Sequence, residues 1–248
     1  MKKTEYSYVG IAFIILVFGM IFIPKIVDRI SEGDIERTES RSQNLMLQPK
    51  DIAPLSYLII NGERKKVMPF RFTNQAGDII SNKDFEGKVY LVEFFFTTCP
   101  TICPIMNQNL ADIQNTFPKR SDFGIASITI NPDYDTVEVL KKYANEYGVT
   151  HPNWHFLTGD QEAIYDFAND GFNLYAAAVE GAPGGFEHSG NFALIDKLGY
   201  IRSRTDAFGN PKIYYKGTIG QKEQLNDEGE LEEISALKED ILKLLDYE

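Results

Sequence analysis

Gly87-Lys-Val-Tyr-Leu-Val-Glu-Phe-Phe-Phe-Thr-Thr-Cys99-Pro-Thr-Ile-Cys103-Pro-Ile-Met106 is the stretch that decides how this chain of 248 residues is read. Val89–Phe96 is a continuous apolar run broken only by Glu93, the pattern of a strand covered on both faces. Met106, Leu110, Ile113 and Phe117 follow at spacings of 4, 3 and 4, which predicts an amphipathic helix. Between the two stand both of the chain's cysteines. Sites in open α/β sheets collect at such strand ends. If the turn is helical, a four-residue spacing is one turn plus about 40°, so both sulfurs lie on one face. A helix N-terminus favours the thiolate through its dipole and free N–H groups. Two converging thiolates suit a soft ion such as Cu(I), and they also suit a disulfide if their Cβ atoms approach to about 3.5–4.5 Å. Pro100 and Pro104 constrain the turn, and Pro104 forbids a regular helix reaching back across Cys103. Cysteine also serves as a small core hydrophobe, but two of them in one proline-flanked turn argue for redox or metal chemistry.

Outward from this stretch, strands and helices alternate. Phe123–Ile130 predicts a second buried strand. Asp135 is expected as an N-cap with Glu138 three residues on, and Val137, Leu140, Ala144 and Tyr147 form a stripe that Gly148 ends. Trp154–Leu157 predicts a short strand, and Asp160 can cap a helix through Ala168. Asn191–Asp196 and Tyr200–Arg204 flank a Lys197-Leu-Gly199 turn as a hairpin, and Leu231–Leu245 predicts a terminal helix. Towards the N-terminus, Leu55–Ile60 is a short strand before the turn dipeptide Asn61-Gly62, with Val67–Phe72 as its expected partner. Gln75–Asp78 predicts another turn before Ile79-Ile80. The order implies an α/β domain of three layers with a mixed sheet, thioredoxin-like in outline.

The first residues are a separate object. No charge occurs from Tyr6 to Pro24, a run of 19 residues. An α-helix of that length just spans a hydrocarbon core of about 30 Å. No A-x-A cleavage site follows and no cysteine lies near its end, so the expectation for residues 1–30 is an uncleaved single-pass anchor rather than a removed signal or a lipid anchor. Lys2 and Lys3 nearly balance Lys25 and Arg29 across the span, and a short inner tail with the rest translocated is the usual outcome. Residues 31–53 are polar and predict a linker, leaving 54–248 as the globular domain. Beyond residue 30 the chain carries 21 basic and 34 acidic residues, a net charge of −13, which argues against nucleic acid as a partner. Two cysteines exclude a disulfide-stapled scaffold and a four-thiolate zinc site, and three histidines argue against His-rich metal storage.

Four segments together resemble the Sco/SenC family of membrane-anchored, thioredoxin-like copper-binding proteins. They are Gly87–Pro104, Asn131–Tyr143, Trp154–Gly159, and His188-Ser189 followed by Phe192–Asp196, within a resemblance covering about residues 67–204. The double-proline C-x-x-x-C with a histidine 85 residues later is the specific part. The resemblance implies that Cys99, Cys103 and His188 hold copper, as Cu(I) on the thiolates and as Cu(II) with the imidazole added. It implies a role in assembling cytochrome c oxidase, with the oxidase's copper-centre subunit as partner and a thioredoxin-like reductase or another copper chaperone upstream. It also implies a place on the inner membrane with the domain on the periplasmic side. The alternative is a thiol–disulfide oxidoreductase in which Cys99 and Cys103 are the redox pair, acting on cysteines of a copper-receiving partner. Thioredoxin-like reductases carry a proline before the strand facing their cysteines; His188-Ser-Gly-Asn191 has none, which favours metal holding. Asn131, Thr101-Ile102 and Glu187 depart from the family's usual acidic residues and leave the three ligands intact. His151 and His155 are separated by Pro152 and are expected to be structural or exposed, and Met106 to pack in the core. Gly181–Gly190 predicts a mobile glycine-rich loop carrying His188, and Thr205–Glu230 an extended tract of open role.

Overall fold

A computed structural model describes residues 15–18, 20, 54–179, 181–205 and 210–247. The chain divides into a unit of Met1–Lys50 and a unit of Asp51–Glu248. In the first, residues 15–18 and 20 are helical. Most of the expected anchor and the whole 31–53 linker lie outside the described residues, and among the described residues no helix is long and apolar enough to cross a membrane.

The second unit is built on one mixed sheet flanked by two separate two-stranded ones. Its early strands are β1 (Ser56–Tyr57), β2 (Ile59–Ile60), β3 (Glu63–Arg64), β4 (Arg71–Asn74) and β5 (Ile79–Ser81). The central strand β6 (Val89–Phe95) leads to helix α1 (Cys103–Thr116), then β7 (Phe123–Thr129), α2 (Val137–Glu146), β8 (Trp154–Thr158) and α3 (Gln161–Asp166). Strands β9 (Ala176–Ala178), β10 (Phe186–His188), β11 (Asn191–Ile195), β12 (Ile201–Ser203) and β13 (Tyr215–Lys216) precede the last helix, α4 (Ile234–Asp246). The sheet order is β1-β12-β11-β6-β7-β8-β4-β5, with β13 on β11. Strands β6, β7 and β8 are parallel and the rest antiparallel. Each parallel join needs a crossover, which α1 and α2 supply.

All seven residues of β6 are buried because both sheet faces are covered. Successive side chains alternate in direction. Phe94 meets Phe167 and Phe172 just after α3, while Phe95 turns the other way onto Tyr143 of α2 and Phe156. Helix α4 packs beside α1 and against β6 on its apolar stripe Ile234, Leu237, Ile241 and Leu244. This is the three-layer arrangement expected.

Three local expectations are corrected. Asn61-Gly62 does turn the chain, both at positive φ, but the partner strand is Glu63–Arg64 rather than Val67–Phe72. A two-residue turn pairs the residues next to it, so the later apolar run is free to form β4, which pairs with β5. The N-cap of α2 is Thr136, whose hydroxyl accepts from Val139 N–H; Asp135 is drawn instead into the sheet end. His188 sits in strand β10, paired with Ala176 of β9, so Phe186–His188 is hairpin rather than loop.

Candidate metal centre

The strand β6 ends at Phe95, and the next residues turn over the sheet before α1 begins. Two constraints set that turn. Cys99 N–H bonds back to Phe96 C=O at 3.2 Å, and Pro104 occupies the first turn of α1, where a missing N–H costs nothing. The helix therefore starts at Cys103 and leaves Cys99 in the turn before it. The helical-face argument for the pair holds only for Cys103; the turn brings Cys99 back to it.

Asp135 fastens the turn from beside it. Its buried carboxylate accepts from Thr97 N–H at 3.1 Å and from the hydroxyls of Thr97 and Thr129. One side chain thus ties the ends of β6 and β7 together two residues before Cys99. Burial raises its pKa, against the lowering effect of those hydrogen bonds.

His188 reaches the same place from β10. Its Nε2 lies 3.2 Å from Cys103 Sγ, and its Nδ1 lies 3.1 Å from Ser189 C=O. A carbonyl can only accept, so Nδ1 carries the proton and Nε2 presents its lone pair to the sulfur. The ring stands edge-on to Phe96 at 5.9 Å. The ligand atoms of Cys99, Cys103 and His188 all lie within 4.8 Å of one another, and all three residues are buried. The three residues singled out in the sequence are brought together. His151 and His155 do not join them, and the packing of Met106 at 0% exposure is that of a core residue.

The two thiols differ. Both are free. Cys103 is fully buried, whereas Cys99 is 8% exposed and lines a groove of about 420 Å³ with Ile102, Val179, Pro183, Phe186 and His188. The neighbouring Cys103 sulfur lowers the Cys99 pKa, whereas Cys99 and burial together raise that of Cys103. Cys99 is the outward sulfur with the lowered pKa and Cys103 the inward one with the raised pKa. Two sulfurs and one imidazole nitrogen form a soft donor set with the lone pairs turned inward, which fits a monovalent copper ion and leaves a hard cation such as Mg²⁺ without oxygen ligands.

Beneath Cys103 lies a polar group that sequence reading did not assign. Glu93 is fully buried; Ser127 Oγ donates to its Oε1 at 2.6 Å, and Oε2 has no hydrogen-bond partner among the described residues. Trp154 Nε1 donates in turn to Ser127 Oγ at 3.0 Å. Desolvation raises the Glu93 pKa to about 8, outweighing the Ser127 bond. The signal for it was the one charge inside an apolar strand. Asn107, whose Nδ2 donates to Cys103 C=O and to Tyr143 Oη, gave no such signal.

The SCO1/SenC family model matches residues 60–219. A SCO1 protein homolog of Bacillus subtilis is 36% identical over 138 residues, covering 55% of this chain and 71% of that protein. Among solved structures, a SCO1/SenC family lipoprotein from Bacillus anthracis superposes with a TM-score of 0.60 at 28% identity, covering 73% of this chain and 96% of that one. BsSco, a member of the Sco family of cytochrome c oxidase assembly proteins in which a disulfide switch was identified, superposes with a TM-score of 0.59 at 28% identity, covering 74% and 95%. The matched range takes in the C-x-x-x-C turn, the distant histidine that meets it and most of the sheet that carries both: the chain belongs to the SCO1/SenC family.

Proposed function

We propose that this chain is a copper-binding assembly factor that takes copper on Cys99, Cys103 and His188 and passes it to the copper centre of a respiratory cytochrome c oxidase. The observation that carries this reading is the meeting of two sulfurs and one imidazole nitrogen within 4.8 Å in a buried pocket. The role of BsSco supports the choice of recipient. Copper is cargo here, so the site must hold it and also release it. A three-ligand site beside an open groove suits both, because an incoming donor can add from the groove before a protein ligand leaves.

The anchor and the compartment belong to the same proposal. The charge-free run Tyr6–Pro24 supports a single-pass anchor in the inner membrane, with residues from about Ser31 onward outside the cytoplasm. A site whose two thiols can be oxidised suits that side.

One observation favours the second reading, a thiol–disulfide oxidoreductase. Cys99 is groove-facing with a lowered pKa while Cys103 is buried with a raised one, the division of labour of an attacking and a resolving thiol. The two activities exclude each other at any moment, since a disulfide consumes both thiolates. Anaerobic titration of the full chain separates them. One Cu(I) per chain is expected, lost in Cys99→Ser with Cys103→Ser. His188→Ala should weaken Cu(II) more than Cu(I), because two thiolates satisfy the softer ion. Unchanged stoichiometry in the double serine variant would remove copper from the account and leave the thiol chemistry.

A further inference from the structure

The tract after β12 packs against the site from a side the sequence left open. Strand β13 pairs with β11, Asn191 opposite Lys216 and Phe192 opposite Tyr215. The next residues, Gly217-Thr-Ile219, pass between the end of β10 and helix α1. Gly217 N–H donates to Gly190 C=O at 2.8 Å. Asn109 of α1, 2% exposed, donates from the same Nδ2 to Gly217 C=O at 2.9 Å and Ile219 C=O at 3.0 Å. The fit is tight: a Cβ placed on Gly190 would lie 2.2 Å from Thr218 Cγ2 and 3.4 Å from Ile102 Cδ1.

These contacts join the two elements that must meet. Cys103 opens α1, and Asn109 lies on the same helix. His188 ends β10, and Gly190 follows two residues later, past the Ser189 carbonyl that fixes the imidazole Nδ1. Further along, Tyr215 Oη donates to Asp240 Oδ2 at 2.7 Å, and Arg204 grips the same carboxylate, so the tract is pinned to α4 as well. We infer that Gly217–Ile219 is a strap that holds His188 at its distance from Cys103, with Asn109 as the positioning residue that anchors it. The inference rests on His188 being a copper ligand in one arm of its test only. In the strap's absence the β9–β10 hairpin would be held through β9, by Asn169 on the N–H and C=O of Ala176, and by Phe96 against Phe186, and the imidazole would lose its support on the Gly190 side.

The test uses the full chain in detergent with Asn109→Ala, Gly190→Ala, Gly190→Ala plus Thr218→Ala, and His188→Ala. The first two variants disturb the strap from opposite sides. The double variant removes the methyl group that a Cβ at 190 would strike, so it should restore what Gly190→Ala loses. In the metal-free reduced protein, the imidazole ¹⁵N resonances of His188 should move in Asn109→Ala and Gly190→Ala and return in the double variant. In the copper arm, the first two should weaken Cu(II) by about tenfold or more, the scale of losing an outer-shell partner, while Cu(I) stays near the parent value. Wild-type His188 resonances in both single variants would overturn the strap. So would equal loss of Cu(I) and Cu(II) that Thr218→Ala fails to restore, since that is general damage. If His188→Ala leaves Cu(II) unchanged, the ligand assignment fails, and the resonances alone decide for or against the strap.

Discussion

Glu93 is a fully buried acid with an unmet demand. It carries a carboxyl into the middle of β6 with one hydrogen bond, from Ser127, and an oxygen without a partner among the described residues. Burying an ionised carboxylate with so little compensation is costly, so the group stays protonated up to a pKa of about 8. The unfolded chain ionises near 4.5. Between those two values the folded state holds a proton that the unfolded state has lost. The stability that Glu93 contributes is therefore complete below about pH 4.5 and declines as pH rises towards 8, by up to about 1.4 kcal/mol per pH unit. Glu93→Gln keeps the shape and removes the titration. Urea unfolding of the two proteins at pH 5, 6.5 and 8 should show the glutamine variant gaining on the parent as pH rises. A constant difference across that range would mean that Glu93 is ionised in the fold. The sequence displayed this residue as the single break in an apolar run, yet not its consequence: burial on both faces is a property of the finished sheet.

At the scale of elements, the long strands were legible as continuous apolar runs because both their faces are covered, and the long helices as stripes because one face is. Strands β6 and β7 end within a residue of their sequence patterns, and α1 and α4 begin within three residues of theirs. The errors fall where a choice between neighbours is settled by tertiary contacts. Asp135 and Thr136 are both good caps by type, and local pattern ranks aspartate at least as high. The fold uses Thr136 for the cap because Asp135 is the only side chain of the two that reaches the donors at Thr97 and Thr129. The two roles differ in size. Thr136→Ala should cost about 1 kcal/mol, the usual loss of an N-cap. Asp135→Ala leaves buried donors at two strand ends unpaired and should cost at least about 3 kcal/mol, at about 1–3 kcal/mol for each such group. Chemical denaturation of both variants at neutral pH gives the comparison, and equal losses would return Asp135 to a capping role. The same logic explains His188. Glycines at 181, 184, 185 and 190 look like a loop in sequence, but Gly184, at φ +78, lets the hairpin turn close onto Phe96, where a Cβ would lie 2.6 Å from the ring. The cluster of Cys99, Cys103 and His188 was legible from the motif and the resemblance; the strap and the role of Asp135 were not, because nothing in the spacing of Asn109, Gly190 or Thr218 marks them as neighbours.

The whole molecule places one reactive sulfur at the mouth of one groove. The chain holds only two cysteines, so any thiol reagent reads this site and nothing else. Within the site, Cys99 faces the groove and has the lowered pKa, while Cys103 is fully buried and has the raised one. A bulky, charged maleimide should therefore modify Cys99 alone, and Cys99→Ser should abolish labelling while Cys103→Ser should not. Copper bound at the site would occupy the same sulfur and protect it. This selectivity turns the reagent into a probe of topology as well. A charged maleimide does not cross the inner membrane, so in cells freed of any outer barrier it reaches the domain only if residues beyond the charge-free run Tyr6–Pro24 lie outside the cytoplasm. The expected result is labelling of the full-length chain before lysis, reduced by prior loading with Cu(I) and absent in Cys99→Ser. Labelling that begins only after lysis would put the domain in the cytoplasm. In that compartment thiols stay reduced, and the site could hold copper only against the competing thiol pool.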